Sequence, residues 1–345
     1  MKIYIRSTGN ISPQHSLDAD AFFLTRVSPS KNYFKAIEPD YDVFIDSKMI
    51  RRMSRIVKMG VAAAITCLRN GGMETPAAIL TATAYGCLED TSSFLRRMIE
   101  FEEKLLSPTA FIQSTHNTVG AQIALLIKCH NYNNTIVHRA FSFENALTEA
   151  GLLLAEGMGP VLLGAVDEIT ADSHVILSRF GLYKQTDKNA GPACGNIDGE
   201  GASFFLLDKE PGNNPQAIIR DLRILYKPEN IEQVRISLLD FLEINGLSPE
   251  RVGLVLSSHT GNAERDASDK DLLDSVFPGR PFFPFKSLCG DYPTASGFAL
   301  WLGTILLKEQ KQPAWMKGLQ FPLNNIFIHH CSGNTHHSFF LIGSC

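Results

Sequence analysis

The chain has no excess of positive charge: 32 Lys and Arg against 36 Asp and Glu leave a formal net charge of -4 over 345 residues. That excludes a broad basic surface for gripping a phosphate backbone, and nucleic acid as the main partner. It also lacks any apolar run near the roughly 20 residues a membrane-spanning helix needs. Apolar runs such as residues 61–68 and 161–166 fall far short, so no span is expected. The opening Met-Lys-Ile-Tyr-Ile-Arg places Lys2 and Arg6 inside its apolar stretch, which reads as a first strand rather than a signal peptide. The expected location is the cytoplasm. No CxxC pair occurs among the seven cysteines, and their odd number fits reduced thiols. Cys194 and Cys289 read as buried small hydrophobes. His329-His330 and His336-His337 flank Cys331, but adjacent residues on a strand point to opposite faces, so no metal site is expected.

With 44% hydrophobic and 20% charged residues, the chain can bury one large core or two fused ones, and general disorder is excluded. Met53, Ile56, Val57, Gly60, Val61, Ala64 and Leu68 recur at i, i+3 and i+4 and predict an amphipathic helix, with Arg51, Arg55 and Lys58 on a solvated face. A strand at 78–82 precedes a helix over 91–106, capped by Asp90 and striped by Phe94, Met98, Phe101 and Leu105. A helix at 117–128, a short strand at 135–137, a helix at 144–156 and a buried strand at 160–166 follow. Residues 184–201, rich in Asn, Asp, Gly and Pro, mark the best internal boundary. Beyond it the spacing predicts a strand at 217–226, a helix at 231–245, a strand at 252–256, a helix ending near Phe277, a helix at 296–307, and strands at 325–329 and 338–342. Strands as apolar as Val161-Leu-Leu-Gly-Ala-Val are covered on both faces. The pattern predicts a layered α/β protein of two similar βαβ-type halves, 1–208 and 209–345.

The segment Thr135-Ile-Val-His-Arg-Ala-Phe-Ser-Phe-Glu turns sharply from strand to helix, where N-terminal amides and the helix dipole lower the pKa of a nucleophile. From Ser114-Thr115 through Asn117 to Glu168, the sequence around this elbow resembles the β-ketoacyl synthases of the thiolase superfamily. Further blocks follow in the family's order. Gly199-Glu-Gly-Ala202 is similar to its GEGA turn, and Gly246 to Gly261 carries His259 at the first family histidine. Phe285 to Gly297 keeps the lysine as Lys286 but has Asp291 at the second histidine, with Cys289 in a neighbouring slot. Ser332-Gly-Asn-Thr-His-His-Ser338 is similar to the C-terminal glycine-rich loop. The resemblance implies a thiolase-like fold with α-β-α-β-α layers.

Aligned backwards from Val161 to Glu168, the family's cysteine position falls on Ala140. The Cys-His-His set thus reads Ala140, His259 and Asp291. Condensation needs a thiolate to hold the acyl chain and two imidazoles to stabilise the enolate. A methyl group forms no thioester, Arg139 is always charged, Phe141 has no reactive atom, and Asp291 repels developing negative charge. Such a set resembles the chain-length-factor subunits of type II polyketide systems, and the elbow is similar to those of aryl polyene pathways. The resemblance implies an active β-ketoacyl synthase as heterodimer partner, or a self-pair, through an interface that includes residues 135–137. It implies no bound cofactor, with phosphopantetheine-linked acyl groups arriving on an acyl carrier protein. Acyl-tunnel candidates are Phe94, Leu95, Met98 and Phe141, although the first three read more readily as ordinary core residues of their amphipathic helix. His259 reads either as a vestigial site or as a buried histidine bonded to a carbonyl, and Lys286 as an ion-pair partner of Asp291 or another carboxylate. A second reading is a divergent acyl-thioester enzyme for acyl transfer, decarboxylation or hydrolysis, with His259 as base and Cys289 or Ser142 as nucleophile. It requires Cys289 within hydrogen-bond reach of His259. Otherwise Ser142 serves as a helix cap.

Overall fold

The computed structural model describes residues 2–29, 32–104, 106–183 and 196–345. The strands are β1 (Ile3–Ile11), β2 (Tyr33–Phe34), β3 (Ala78–Ala82), β4 (Tyr132–Ile136), β5 (Val161–Asp167), β6 (Asp198–Gly199), β7 (Gly201–Asp208), β8 (Ala217–Tyr226), β9 (Leu254–Ser257), β10 (Phe282–Pro284), β11 (Asn325–Ser332) and β12 (His336–Gly343). The helices are α1 (Ala19–Leu24), α2 (Ser47–Ile50), α3 (Arg55–Asn70), α4 (Leu88–Glu100), α5 (Pro108–Gln113), α6 (Thr118–Leu126), α7 (Ser142–Ala155), α8 (Ala171–Arg179), α9 (Ile231–Ile244), α10 (Ala263–Val276), α11 (Lys286–Cys289) and α12 (Ala295–Glu309).

The main sheet runs β10-β9-β11-β12-β8-β1-β7-β5-β3-β4. Numbered within each half, the five strands from β8 onward and the five up to β7 follow one order, 3-2-4-5-1, and meet where β8 pairs antiparallel with β1 over Ile3, Tyr4 and Ile5. Side chains alternate across every central strand. In β5, Val161, Leu163 and Ala165 face a core shared by both halves, while Leu162 and Val166 face an outer one. In β11, Ile326 and Ile328 face the shared core and Phe327 the outer face of its own half. Helices α7 and α12 fill the shared layer, α3 and α6 cover the first half, and α9 and α10 cover the second. The layers run α-β-α-β-α. Helix α12 is buried from Ala295 to Leu307, so its apolar residues encircle it rather than lining one face.

Several local readings change. The 184–201 punctuation lies largely outside the described residues, and β7 just beyond it still pairs with β1 and β5 of the first half. Arg55 is not on a solvated face. Its guanidinium grips Glu200 of the GEGA turn through two bonds of 2.7 and 2.6 Å. The fully buried Glu200 carboxylate also accepts the amides of Ala36 and Ile169. One bidentate pair therefore fixes that turn to α3. Helix α4 begins at Leu88 after Cys87, places Asp90 inside its first turn and stops at Glu100. Leu105 lies outside the described residues. None of the residues of α4 is buried, so Phe94, Leu95 and Met98 are not core residues.

Candidate functional site

The elbow is built from backbone. Arg139 takes a left-handed φ of 46°, residues 139–141 form one 3-10 turn, and α7 follows directly. Ser142, wholly buried, holds this turn closed: its hydroxyl donates to the Arg139 carbonyl at 2.9 Å and accepts from the His138 amide at 2.8 Å. It binds backwards onto the turn rather than capping the amides of α7. Ala140 is 5% exposed and Phe141 2%. The Phe141 ring meets His336 edge-on at 4.7 Å and stacks on His138 at 5.9 Å, so the elbow leans on the β11–β12 hairpin of the other half. One turn into α7, the buried Glu144 carboxylate binds His330 Nδ1 at 3.0 Å and accepts from the Ser338 hydroxyl at 2.8 Å. The signal for this network was an acid among Phe143, Ala146, Leu147 and Ala150 on a buried helix face.

The other residues of the expected set, His259, Lys286 and Asp291, lie at strand ends of the second half. His259 follows β9 and is 8% exposed, its ring 5.0 Å from Phe282. Burial lowers its pKa from 6.5 despite the opposing pull of Asp266 and Asp269, which leaves a neutral imidazole at neutral pH. Its Nε2 finds no partner among the described residues, so the carbonyl-bonded reading gains no support at that nitrogen. Lys286 opens α11, and its Nζ lies 2.7 Å from Asp291 Oδ1 and 3.4 Å from the Cys331 carbonyl. The Asn196 amide also donates to Asp291. Burial pushes the Asp291 carboxyl up, but the Lys286 charge and these hydrogen bonds hold it below the ordinary carboxylate range. Gly290, at φ 79°, presses against Gly199 where a side chain on either would collide, and so seats Asp291 beside Asp198.

Lys286 and Asp291 line a cavity of about 370 Å³ with Ser258, Asp269 and Cys331. Ala140 does not line it, nor do Phe94, Leu95, Met98 or Phe141. Phe94 packs on Phe111 at 5.6 Å, Leu95 is 52% exposed, and Met98 is half-buried. Cys289 is sealed in the shared core, its thiol turned to the Phe285 and Gly290 carbonyls and pushed far up by burial. Neither Cys289 nor Ser142 is placed as a nucleophile. With Asp291 neutralised by Lys286, the cavity wall carries an ion pair, and the neutral imidazole of His259 lies outside that wall.

Residues 31–179 match the model of the beta-ketoacyl synthase N-terminal domain. The whole chain superposes on the ishigamide ketosynthase/chain length factor with a TM-score of 0.79 and 14% identity, over 100% of this chain and 99% of that one. A ketosynthase in complex with its chain length factor from Xenorhabdus doucetiae gives 0.74 and 14%, over 99% and 98%. A type II PKS acyl-carrier protein in complex with its ketosynthase bound to the hexaketide gives 0.77 and 12%, over 100% and 99%. No curated protein sequence matches. The chain thus has the thiolase-like fold of the ketosynthases. Among the described residues, no helix is long and apolar enough to cross a membrane.

Proposed function

We propose that this chain is a catalytically degenerate, chain-length-factor-like subunit that pairs with an active β-ketoacyl synthase in type II polyketide or aryl polyene-type biosynthesis. The elbow carries the reading. Where a condensing enzyme needs a thiolate, the buried position holds Ala140, and the adjacent Ser142 hydroxyl is spent on the backbone. Asp291, paired with Lys286, supplies a carboxylate where the enolate oxyanion would need a donor. The partner supplies the thiolate, and phosphopantetheine-linked acyl groups reach it on an acyl carrier protein in the cytoplasm. Support for a partner comes from the open edge of β4 and from Leu95, Ile99, Phe111 and Ile112, all more than half exposed on α4 and α5. On this reading, Phe94, Leu95 and Met98 form a tunnel wall that the partner completes.

The test is co-expression with the active ketosynthase encoded nearest to this chain, followed by native mass spectrometry and turnover of malonyl-carrier protein. A 1:1 complex, active only with both chains, is expected. Condensation by this chain alone, or a self-pair that ignores the ketosynthase, would overturn the proposal.

A further inference from the structure

Adjacent histidines on β11 do face opposite ways: His330 turns inward to Glu144, and His329 turns outward. Ligands gather across strands instead. The β11–β12 hairpin sets Cys331 directly opposite His337, and His329 stands two residues back on the same face. Helix α10 packs over that face through Leu272, Leu273 and Val276 and brings Asp269 down onto the pair. One ligand atom each from Asp269, Cys331 and His337 then lies within 4.8 Å of the others. We infer that these three residues form a zinc site whose fourth position opens to the cavity that Asp269 and Cys331 line.

The donor set argues for zinc. A thiolate, an imidazole and a carboxylate suit a borderline-soft ion and disfavour magnesium and calcium, which take oxygen ligands. The spacing fits as well. Zn–S near 2.3 Å and Zn–N near 2.0 Å put sulfur and nitrogen about 3.5 Å apart at a tetrahedral centre. Cys331 Sγ and His337 Nε2 stand 3.9 Å apart, a few tenths more than a bound ion requires. The orientation is set from behind: His337 Nδ1 lies 3.1 Å from His329 Nε2, and the two rings stack at 5.4 Å. With the proton on Nδ1 donated to His329, the Nε2 lone pair of His337 faces the cysteine, the arrangement that outer-shell partners impose on ligating histidines. His329 is fully buried and its Nδ1 has no partner among the described residues. An imidazole in so apolar a place is costly unless it orients its neighbour. One thiolate and one carboxylate balance the charge of a divalent ion, and Lys286 is already neutralised by Asp291. Three protein ligands plus one open position is the pattern of zinc sites that hold a water or a substrate atom.

The inference stands independently of the pairing proposed above. Its test is calorimetric titration of the untagged, full-length chain with Zn²⁺, and optical titration with Co²⁺. Expected are one saturable equivalent per chain and a thiolate-to-cobalt charge-transfer band. Cys331→Ser should abolish the band and weaken Zn²⁺ binding at least tenfold, with His337→Gln and Asp269→Asn weakening it similarly. Cys345→Ser, at the exposed thiol near the chain end, should retain both. No saturable equivalent in the wild type, or an unchanged band in Cys331→Ser, would overturn the inference. The wild-type titration decides even if no variant folds.

Discussion

The third strand of each half forms an outer edge of the main sheet, and the two edges are built differently. β4 runs for five residues without proline and, among the described residues, pairs only with β3. The Thr135 amide is satisfied merely by the side chain of its neighbour Asn134. β10 is three residues long, ends in Pro284 and leads within two residues into α11. A short strand closed by proline is a poor template for another strand, whereas a longer edge flanked by exposed apolar side chains is a good one. A repeated topology therefore does not repeat its surfaces. One half closes its outer edge, and the other leaves its edge open.

The strongest way to break this contrast is Thr135→Pro. It should weaken assembly at least ~1,000-fold, or about 4 kcal/mol, while Phe282→Pro at the start of β10 leaves assembly intact. Sedimentation velocity reads both, and equal dissociation by the two would end the comparison. Next, Phe141→Ala empties a buried ring site between the halves and should cost about 3 kcal/mol in urea unfolding. Leu95→Ala, on the exposed side of α4, should shift stability by less than about 0.5 kcal/mol. Lys286→Met strands the Asp291 carboxylate and should cost about 2 kcal/mol, most of it recovered by adding Asp291→Asn. Because the folded Asp291 carboxyl titrates below the unfolded one, its contribution is full above the unfolded pKa and is lost as pH falls through the folded value. Acid unfolding curves of Asp291→Asn should therefore lack the part of the loss that the wild type shows below about pH 4. On assembly itself the smaller effect falls at Ile99→Asp, which should weaken it about tenfold while leaving the melting temperature of the separated chain unchanged.

Much of the fold was legible because burial on two faces writes itself as continuous apolar strands. β8 falls where the spacing puts it, at Ala217–Tyr226, and α3, α7, α9 and α12 lie within a few residues of expectation. β10 and α11 are too short to show a period, and α8 carries only two buried residues to mark its inner face. Helix α4 misled for a physical reason: an apolar stripe at the helical period looks the same in sequence whether or not a core covers it. Arg55 misled because its carboxylate is 145 residues away, and no helix-surface spacing reveals that. At the candidate site, Lys286 and Asp291 were readable as a pair because α11 returns the chain on itself within five residues. The cluster of Asp269, Cys331 and His337 was not, since cross-strand neighbours depend on hairpin register.

The placement of α12 has a consequence for the growing chain. It is synthesised after every strand except β11 and β12, yet it packs in the same core as Leu163, Phe205 and Leu207 of the first half. On the ribosome, α7 covers those inner faces only in part, and the rest stays bare until residues 295–309 have emerged from the exit tunnel. The first half thus leaves the ribosome as a sticky precursor rather than a finished domain, and a nascent-chain chaperone that shields β5 and β7 should raise the yield of folded protein.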